Sequence, residues 1–299
     1  MKKNYSFFCV LSLVLMLAIP FQTAADDYVR GDVDEDGIVN ISDVTTLIDY
    51  LLSNQWPEEQ LQPENTDFTV GGVTFTMVYV EGGSFIMGAT AEQGSDAEST
   101  EKPAHQVTLS SYAIGQTEVT QALWQAVMGY NPSDFQGKLT RPVEQVSWND
   151  CQTFITKLNE MTGKRFRLPT EAEWEFAARG GNLSLGYKYS GSNNINEVAW
   201  YKSNSGNETK PVATKAPNEL GLYDMSGNVC EWVQDWWGNY SSTAQTNPNG
   251  PESGSRRVIR GGSWFYESAP CRVSRRFGNA PEDCWHGRGL RLALSLESK

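Results

Sequence analysis

Asp32, Asp34, Asp36 and Asp43 fall at positions 1, 3, 5 and 12 of a short loop, with Gly37 at the turn and the Ile38 carbonyl at position 7. That pattern of hard oxygens can wrap one Ca²⁺. Without a cation the carboxylates repel one another, so metal binding and ordering of the loop are coupled. Softer ligands are scarcer. The chain holds five cysteines and two histidines, His105 and His286. Two imidazoles are too few for a three-histidine zinc site, and neither stands in a His-Glu-x-x-His helix, so histidine-based metal catalysis is largely excluded. Ser263 and His286 could formally serve a Ser-His-acid hydrolase, but no Gly-x-Ser-x-Gly elbow surrounds the serine.

These groups need elements to hold them. The 299 residues are 39% hydrophobic and 20% charged, enough for one large or two smaller cores. The formal charge is -12, and an acidic surface repels phosphate backbones, which argues against a nucleic-acid partner. Residues 26–64 carry net -10 of that charge and residues 65–299 only -4, which sets the calcium loop apart as an acidic front module. Val44, Leu47, Ile48, Leu51 and Leu52 follow it at helical spacing and need a partner surface. Residues 1–25 read as a signal peptide: Lys2 and Lys3, an apolar run from Phe7 to Ile19, then small residues Thr23, Ala24 and Ala25. No other stretch is long and apolar enough to span a bilayer, so export to the periplasm or outside the cell is expected. Cys151, Cys230, Cys271 and Cys284 would then meet an oxidising compartment, with three possible connectivities.

Residues 54–67 read as a linker and 68–296 as the main domain. Strand-like runs at Phe75–Val80 and Ser84–Gly88 alternate with turns. Thr120 predicts a helix cap for a helix reaching Met128. Ser147 predicts another, with Trp148, Cys151, Phe154, Ile155, Leu158 and Met161 on a core-facing stripe before Gly163 ends it. Thr170 with Glu173 forms a capping box for a third helix to about Arg179. Beyond residue 180 neither period persists, so loops there must be fastened by side chains, ions or disulfides. Eight arginines and no lysine lie between Arg256 and Arg291. Internal ion pairs are the favoured reading for Arg260, Arg272 and Arg291, with anionic ligands as the alternative. Trp264, Phe265, Tyr266, Phe277, Trp285 and His286 are interleaved with them and could form a surface for a sugar or a peptide.

The front module resembles one half of a type I dockerin, a calcium-loop and helix unit that normally occurs twice and docks onto cohesins. A cohesin-like or other protein partner is therefore implied. The main domain resembles the formylglycine-generating enzyme, or sulfatase-modifying factor, family. The resemblance rests on Gly82–Gly88, Pro142–Trp148, Arg167–Glu175, Gly221–Trp232, Arg260–Trp264 and Gly289–Leu292, in family order. It implies an α+β, C-type-lectin-like fold with little regular secondary structure, and structural calcium.

Family enzymes oxidise a substrate cysteine to formylglycine with O₂, using Cu⁺ between two cysteines five residues apart. Laid on that motif, Ser263 and Cys271 match but Tyr266 stands in place of the first cysteine. Cu⁺ is therefore not expected, since a phenol is a hard, mostly protonated oxygen. Cys230 takes the place of a tryptophan near the family's active site, which suggests a Cys230–Cys271 disulfide. Asp224 and Glu231, with the carbonyls of Gly227 and Val229, match a family calcium site. Asn204 is a weaker candidate for another. Trp264, Tyr266, Arg275, Trp285 and His286 fall where the family recognises substrate. The expectation is a secreted, calcium-stabilised binding or assembly module, in a glycan-degrading system. The alternative is a formylglycine-generating oxidase.

Overall fold

The computed structural model describes residues 65–296. The chain divides at Pro63 and Glu64. The expected signal segment, the calcium loop with Asp32, Asp34, Asp36, Ile38 and Asp43, and its helix lie outside the described residues.

Alternating patterns and turn glycines give the strands. β1 (Thr66–Val70) turns through Gly71 and Gly72, both at positive φ, into β2 (Val73–Val80). β3 (Gly83–Met87), β4 (His105–Leu109) and β5 (Tyr112–Gly115) follow. Three helices come next, each with the cap its sequence predicts. In α1 (Gln121–Met128) Thr120 accepts from the Leu123 N–H, and Gly129 closes the helix in a left-handed conformation. In α2 (Trp148–Thr162) Ser147 and Asp150 form a reciprocal box, and Gly163 at φ 66° ends it. After β6 (Phe166–Arg167), Thr170 and Glu173 box the start of α3 (Glu171–Ala178). Short α4 (Ile195–Val198) precedes a long irregular stretch. The last strands are β7 (Cys230–Trp236), β8 (Gln245–Thr246), β9 (Arg257–Arg260), β10 (Arg276–Asn279), β11 (Arg288–Leu290) and β12 (Ala293–Leu294).

The strands build three sheets: β1-β2-β5-β12-β6, β10-β9-β7-β11 with β11 parallel to β7, and β3-β4-β8. One core gathers Leu123, Trp124, Phe154, Leu158, Trp232 and Leu290. A second gathers Val80, Tyr112, Trp174, Phe176, Val233 and Val258. Trp232 and Val233, adjacent on β7, enter different cores because side chains alternate across a strand. The α2 stripe departs from expectation at one end. Cys151, Phe154, Ile155 and Leu158 are buried, whereas Met161 is 53% exposed because the last helical turn projects past the core.

The arginines replace regular structure as fasteners. Arg260 is fully buried and donates to Glu175 Oε2 at 2.5 Å, Glu171 Oε1 at 3.2 Å, and the carbonyls of Val273 and Ser274. Arg272 grips both oxygens of Glu101 at 2.6 and 2.8 Å. Burial opposes ionisation of Glu101, but Arg272 and Ser274 outweigh it and hold the carboxyl below its usual range. Arg291 donates to Glu231 at 2.7 Å and to the carbonyls of Gly115 and Tyr223. The internal ion-pair reading is the one the fold adopts for all three.

Candidate functional site

The four-stranded sheet positions the groups singled out in the sequence. β7 starts at Cys230, β9 ends at Arg260 and runs into Gly261-Gly262-Ser263, and a short 3₁₀ turn (Ala269–Cys271) brings Cys271 back. Gly261 and Gly262 sit at φ 91° and 70°. A side chain at Gly262 would place its Cβ 2.7 Å from Cys271 Sγ, so the glycine is what lets the thiol approach.

Cys230, Ser263, Tyr266 and Cys271 are brought together. The Ser263 side chain hydrogen-bonds Cys230, and Cys271 Sγ faces the Glu267 carbonyl at 3.6 Å. Burial pushes the Cys230 thiol up to about 12, against the pull of Arg288. Burial and the neighbouring Cys230 drive Cys271 up as well. Tyr266 stacks on Phe277 with ring centroids 5.6 Å apart and 10° between planes. Its hydroxyl is pushed up to about 12, first by burial and then by Cys230. The locus therefore holds two protonated thiols and a protonated phenol at neutral pH. Tyr266 and Cys271 do not reproduce the family's pair of cysteines. The expected Cys230–Cys271 bridge is not formed: all four described cysteines are free, with Cys151, Cys230 and Cys271 buried and Cys284 exposed. Each buried sulfur of the pair is instead directed to its own oxygen partner.

Ser263 is fully buried. His286 instead lies 3.6 Å from Asp134, and no Ser263–His286 hydrogen bond exists among the described residues. The hydrolase arrangement is not assembled.

The aromatic residues cluster, but with unequal exposure. Trp264 is only 5% exposed and donates its indole N–H to the His286 carbonyl at 3.0 Å, so it is a floor and not a contact face. Above it stand Phe265, half exposed, with Trp285 and His286 partly exposed. Trp285 lies parallel to Trp264 at 6.4 Å and edge-on to Phe265 at 5.6 Å. Arg275 is committed to Glu98 and lies over the Phe277 ring at 4.4 Å, so it is an internal fastener and not a free grip. Phe135, from the loop between α1 and α2, meets Trp264 edge-on at 5.2 Å. Beneath it, Glu144 gives Oε1 to the Phe135 N–H while its buried Oε2 has no hydrogen-bond partner, and burial raises its carboxyl to about 7. Neither Phe135 nor Glu144 could be assigned from spacing, because each lies over a hundred residues from the rest of the face.

Around the start of β7 the charge is out of balance. Asp224, Glu231 and Glu118 are all buried, and Arg291 is the cation between them. Asp224 has φ 58°, gives Oδ2 to the Ala213 N–H at 2.8 Å, and leaves Oδ1 buried without a partner. Burial raises its carboxyl to about 6. Glu118 accepts from the Val229 N–H and the Asn228 amide, and is driven well above the usual carboxylate range by burial, Asp224 and Glu231. An orphaned acid oxygen beside two further carboxylates is the setting in which a hard cation fits. Glu231 fits less well, since Arg291 and the Trp174 indole N–H already occupy both of its oxygens. Among the described residues no group of three or more His, Cys, Asp or Glu is arranged to hold a metal through side chains alone. A site here would depend on backbone oxygens such as those of Gly227 and Val229. Asn204 is spent in its own loop, accepting from the Tyr201 N–H and donating to the Ala199 carbonyl.

Comparison with known proteins places these features. The family described as sulfatase-modifying factor enzyme 1-like domain matches residues 66–296, and the type I dockerin domain matches 30–70. The chain is similar to a chaperone protein LppX of Paenibacillus barcinonensis, 38% identical over 69% of this chain and 85% of that one. It is also similar to a formylglycine-generating enzyme of Thermomonospora curvata, 36% identical over 58% of this chain and 62% of the other. Among solved structures, Treponema denticola variable protein 1 superposes with TM-score 0.73 at 36% identity, covering 79% of this chain and all of that one. PvdO from Pseudomonas aeruginosa gives 0.62 at 29%, with the same coverage. Matched over most of its length, with the α+β fold of those structures, the chain belongs to the sulfatase-modifying factor enzyme 1-like family.

Proposed function

We propose that this chain is an extracytoplasmic binding or assembly module and not a copper oxidase. The observation that carries the reading is Tyr266, a protonated phenol stacked on Phe277 where the oxidase chemistry needs a thiolate. Function follows the site and not the fold. A relative named as a chaperone, beside others named as formylglycine-generating enzymes, supports a family in which the scaffold serves more than one role.

In this reading Phe265, Tyr266, Trp285 and His286 take a glycan or peptide ligand, on a floor made by Trp264 and Phe135. Calcium held at Asp224, with Gly227 and Val229 carbonyls and Glu231 nearby, offsets the buried negative charge. The dockerin-like segment binds a second Ca²⁺ through Asp32, Asp34, Asp36, Ile38 and Asp43, and joins the chain to a cohesin-like partner in a glycan-degrading assembly. The signal-like residues 1–25 direct export to the periplasm or beyond. The alternative is an oxidase that converts a sulfatase cysteine to formylglycine. Incubating the purified chain with Cu⁺, O₂ and a peptide carrying a sulfatase motif separates the two: the binding reading expects unchanged peptide mass, and conversion of cysteine to aldehyde overturns it.

A further inference from the structure

A cavity of about 280 Å³ lies between β4, the β7–β8 loop and α3, and shares no residue with the aromatic face. Two nearly buried side chains line it with unused polar atoms. Asp235, 4% exposed, gives Oδ2 to the Glu171 N–H at 2.8 Å, and its Oδ1 has no hydrogen-bond partner among the described residues. His105, 5% exposed, lies with Nδ1 3.2 Å from the Pro103 carbonyl. A carbonyl can only accept, so Nδ1 carries the proton and Nε2 is left as a free acceptor in the neutral ring.

Two arginines at this cavity are already taken. Arg276 donates to both oxygens of Glu171 and to the Gly238 carbonyl. Arg260 is divided between Glu171 and Glu175. Arg276, the arginine that lines the cavity, is therefore not free to hold an anionic ligand. Tyr240 and Trp236 supply aromatic wall, and exposed Asn239 and Asn249 supply amides at the rim. We propose that this cavity is a second binding site, which takes one uncharged sugar ring through His105 and Asp235, against the Trp236 and Tyr240 walls. A cavity at the small end of ligand pockets suits one ring and not a chain, and paired donor and acceptor groups over apolar faces match a polyol.

The competing occupant is an amine, which would require Asp235 as a carboxylate. Burial, with Glu171 alongside, instead raises that carboxyl to about 8, so at neutral pH it can donate to a hydroxyl. The test is a titration of the full chain with a panel of neutral methyl glycosides at pH 7, read by saturation-transfer NMR, with methylamine in parallel. Binding of at least one glycoside is expected, retained in Asp235→Asn, whose amide reproduces both hydrogen bonds. It should weaken about ten-fold in His105→Phe, which keeps the ring and removes the acceptor. Trp285→Ala, on the aromatic face, should leave this binding unchanged, so failure here is distinct from failure of the aromatic-face reading. The proposal is overturned by no glycoside binding, by binding indifferent to His105→Phe, or by methylamine binding that Asp235→Asn abolishes. Melting curves of both variants exclude loss through unfolding.

Discussion

Two populations of buried charge divide this protein. In the arginine lattice around α3 each guanidinium faces a carboxylate: Arg260 with Glu175, Arg272 with Glu101, Arg276 with Glu171. At Asp224, Glu144 and Asp235 the acid has no arginine at hydrogen-bond distance, and each carboxyl is raised, to about 6, 7 and 8. Paired groups hold loops that lack secondary structure, while unpaired ones mark places where a cation, a ligand or a proton completes the charge.

Breaking the lattice should produce the largest effect. Arg272→Met leaves Glu101 buried with only Arg275, 3.8 Å away, as a cation, and a loss of about 3 kcal/mol in denaturant unfolding is expected; a change near zero would mean that the pair is not holding the fold. Gly262→Ala comes next. Its positive φ and the contact with Cys271 together predict a loss of about 2–3 kcal/mol, and unchanged stability would contradict the close approach of the thiol.

The unpaired acids should show themselves through pH. Folded Asp235 keeps its proton up to about 8, whereas in the unfolded chain it loses it near 3.8. Between those values unfolding releases a proton, so stability falls as pH rises, by about 1.4 kcal/mol per unit from this group. Asp235→Asn, with Glu171 and Arg276 still facing it, should remove that slope relative to the parent chain. Parallel curves would show that the carboxyl ionises freely. A smaller effect is expected from calcium: added Ca²⁺ should raise the melting temperature, and Asp224→Ala should abolish the part of the rise that belongs to the main domain. No rise in the parent chain would remove the cation from the account.

What was legible in the sequence was local. Thr120, Ser147 and Thr170 cap within three residues, and Gly129 and Gly163 stop their helices for a backbone reason that any sequence shows. The segment from Asp224 to Glu231, proposed here for calcium, is equally compact in sequence. What stayed hidden is long-range. That arginines would pair could be read, but not that Arg272 meets Glu101, 171 positions away. Glu118 reaches Val229 across 111 positions, and Phe135 supports an aromatic face drawn from residues 264–286. Burial also redistributes roles that residue type alone suggests. Trp264 and Arg275 look like ligand contacts, yet packing makes one a floor and the other a fastener.

In the proposed reading the Cys230, Tyr266 and Cys271 locus holds no cuprous ion, because a phenol stands where the family has the first of its two cysteines. The most direct measurement is Cu⁺ competition against a chelator of known affinity, followed by X-ray absorption at the copper edge. No retention of the ion by the chain is predicted. Tight binding with two sulfur ligands, lost in Cys271→Ser, would contradict it.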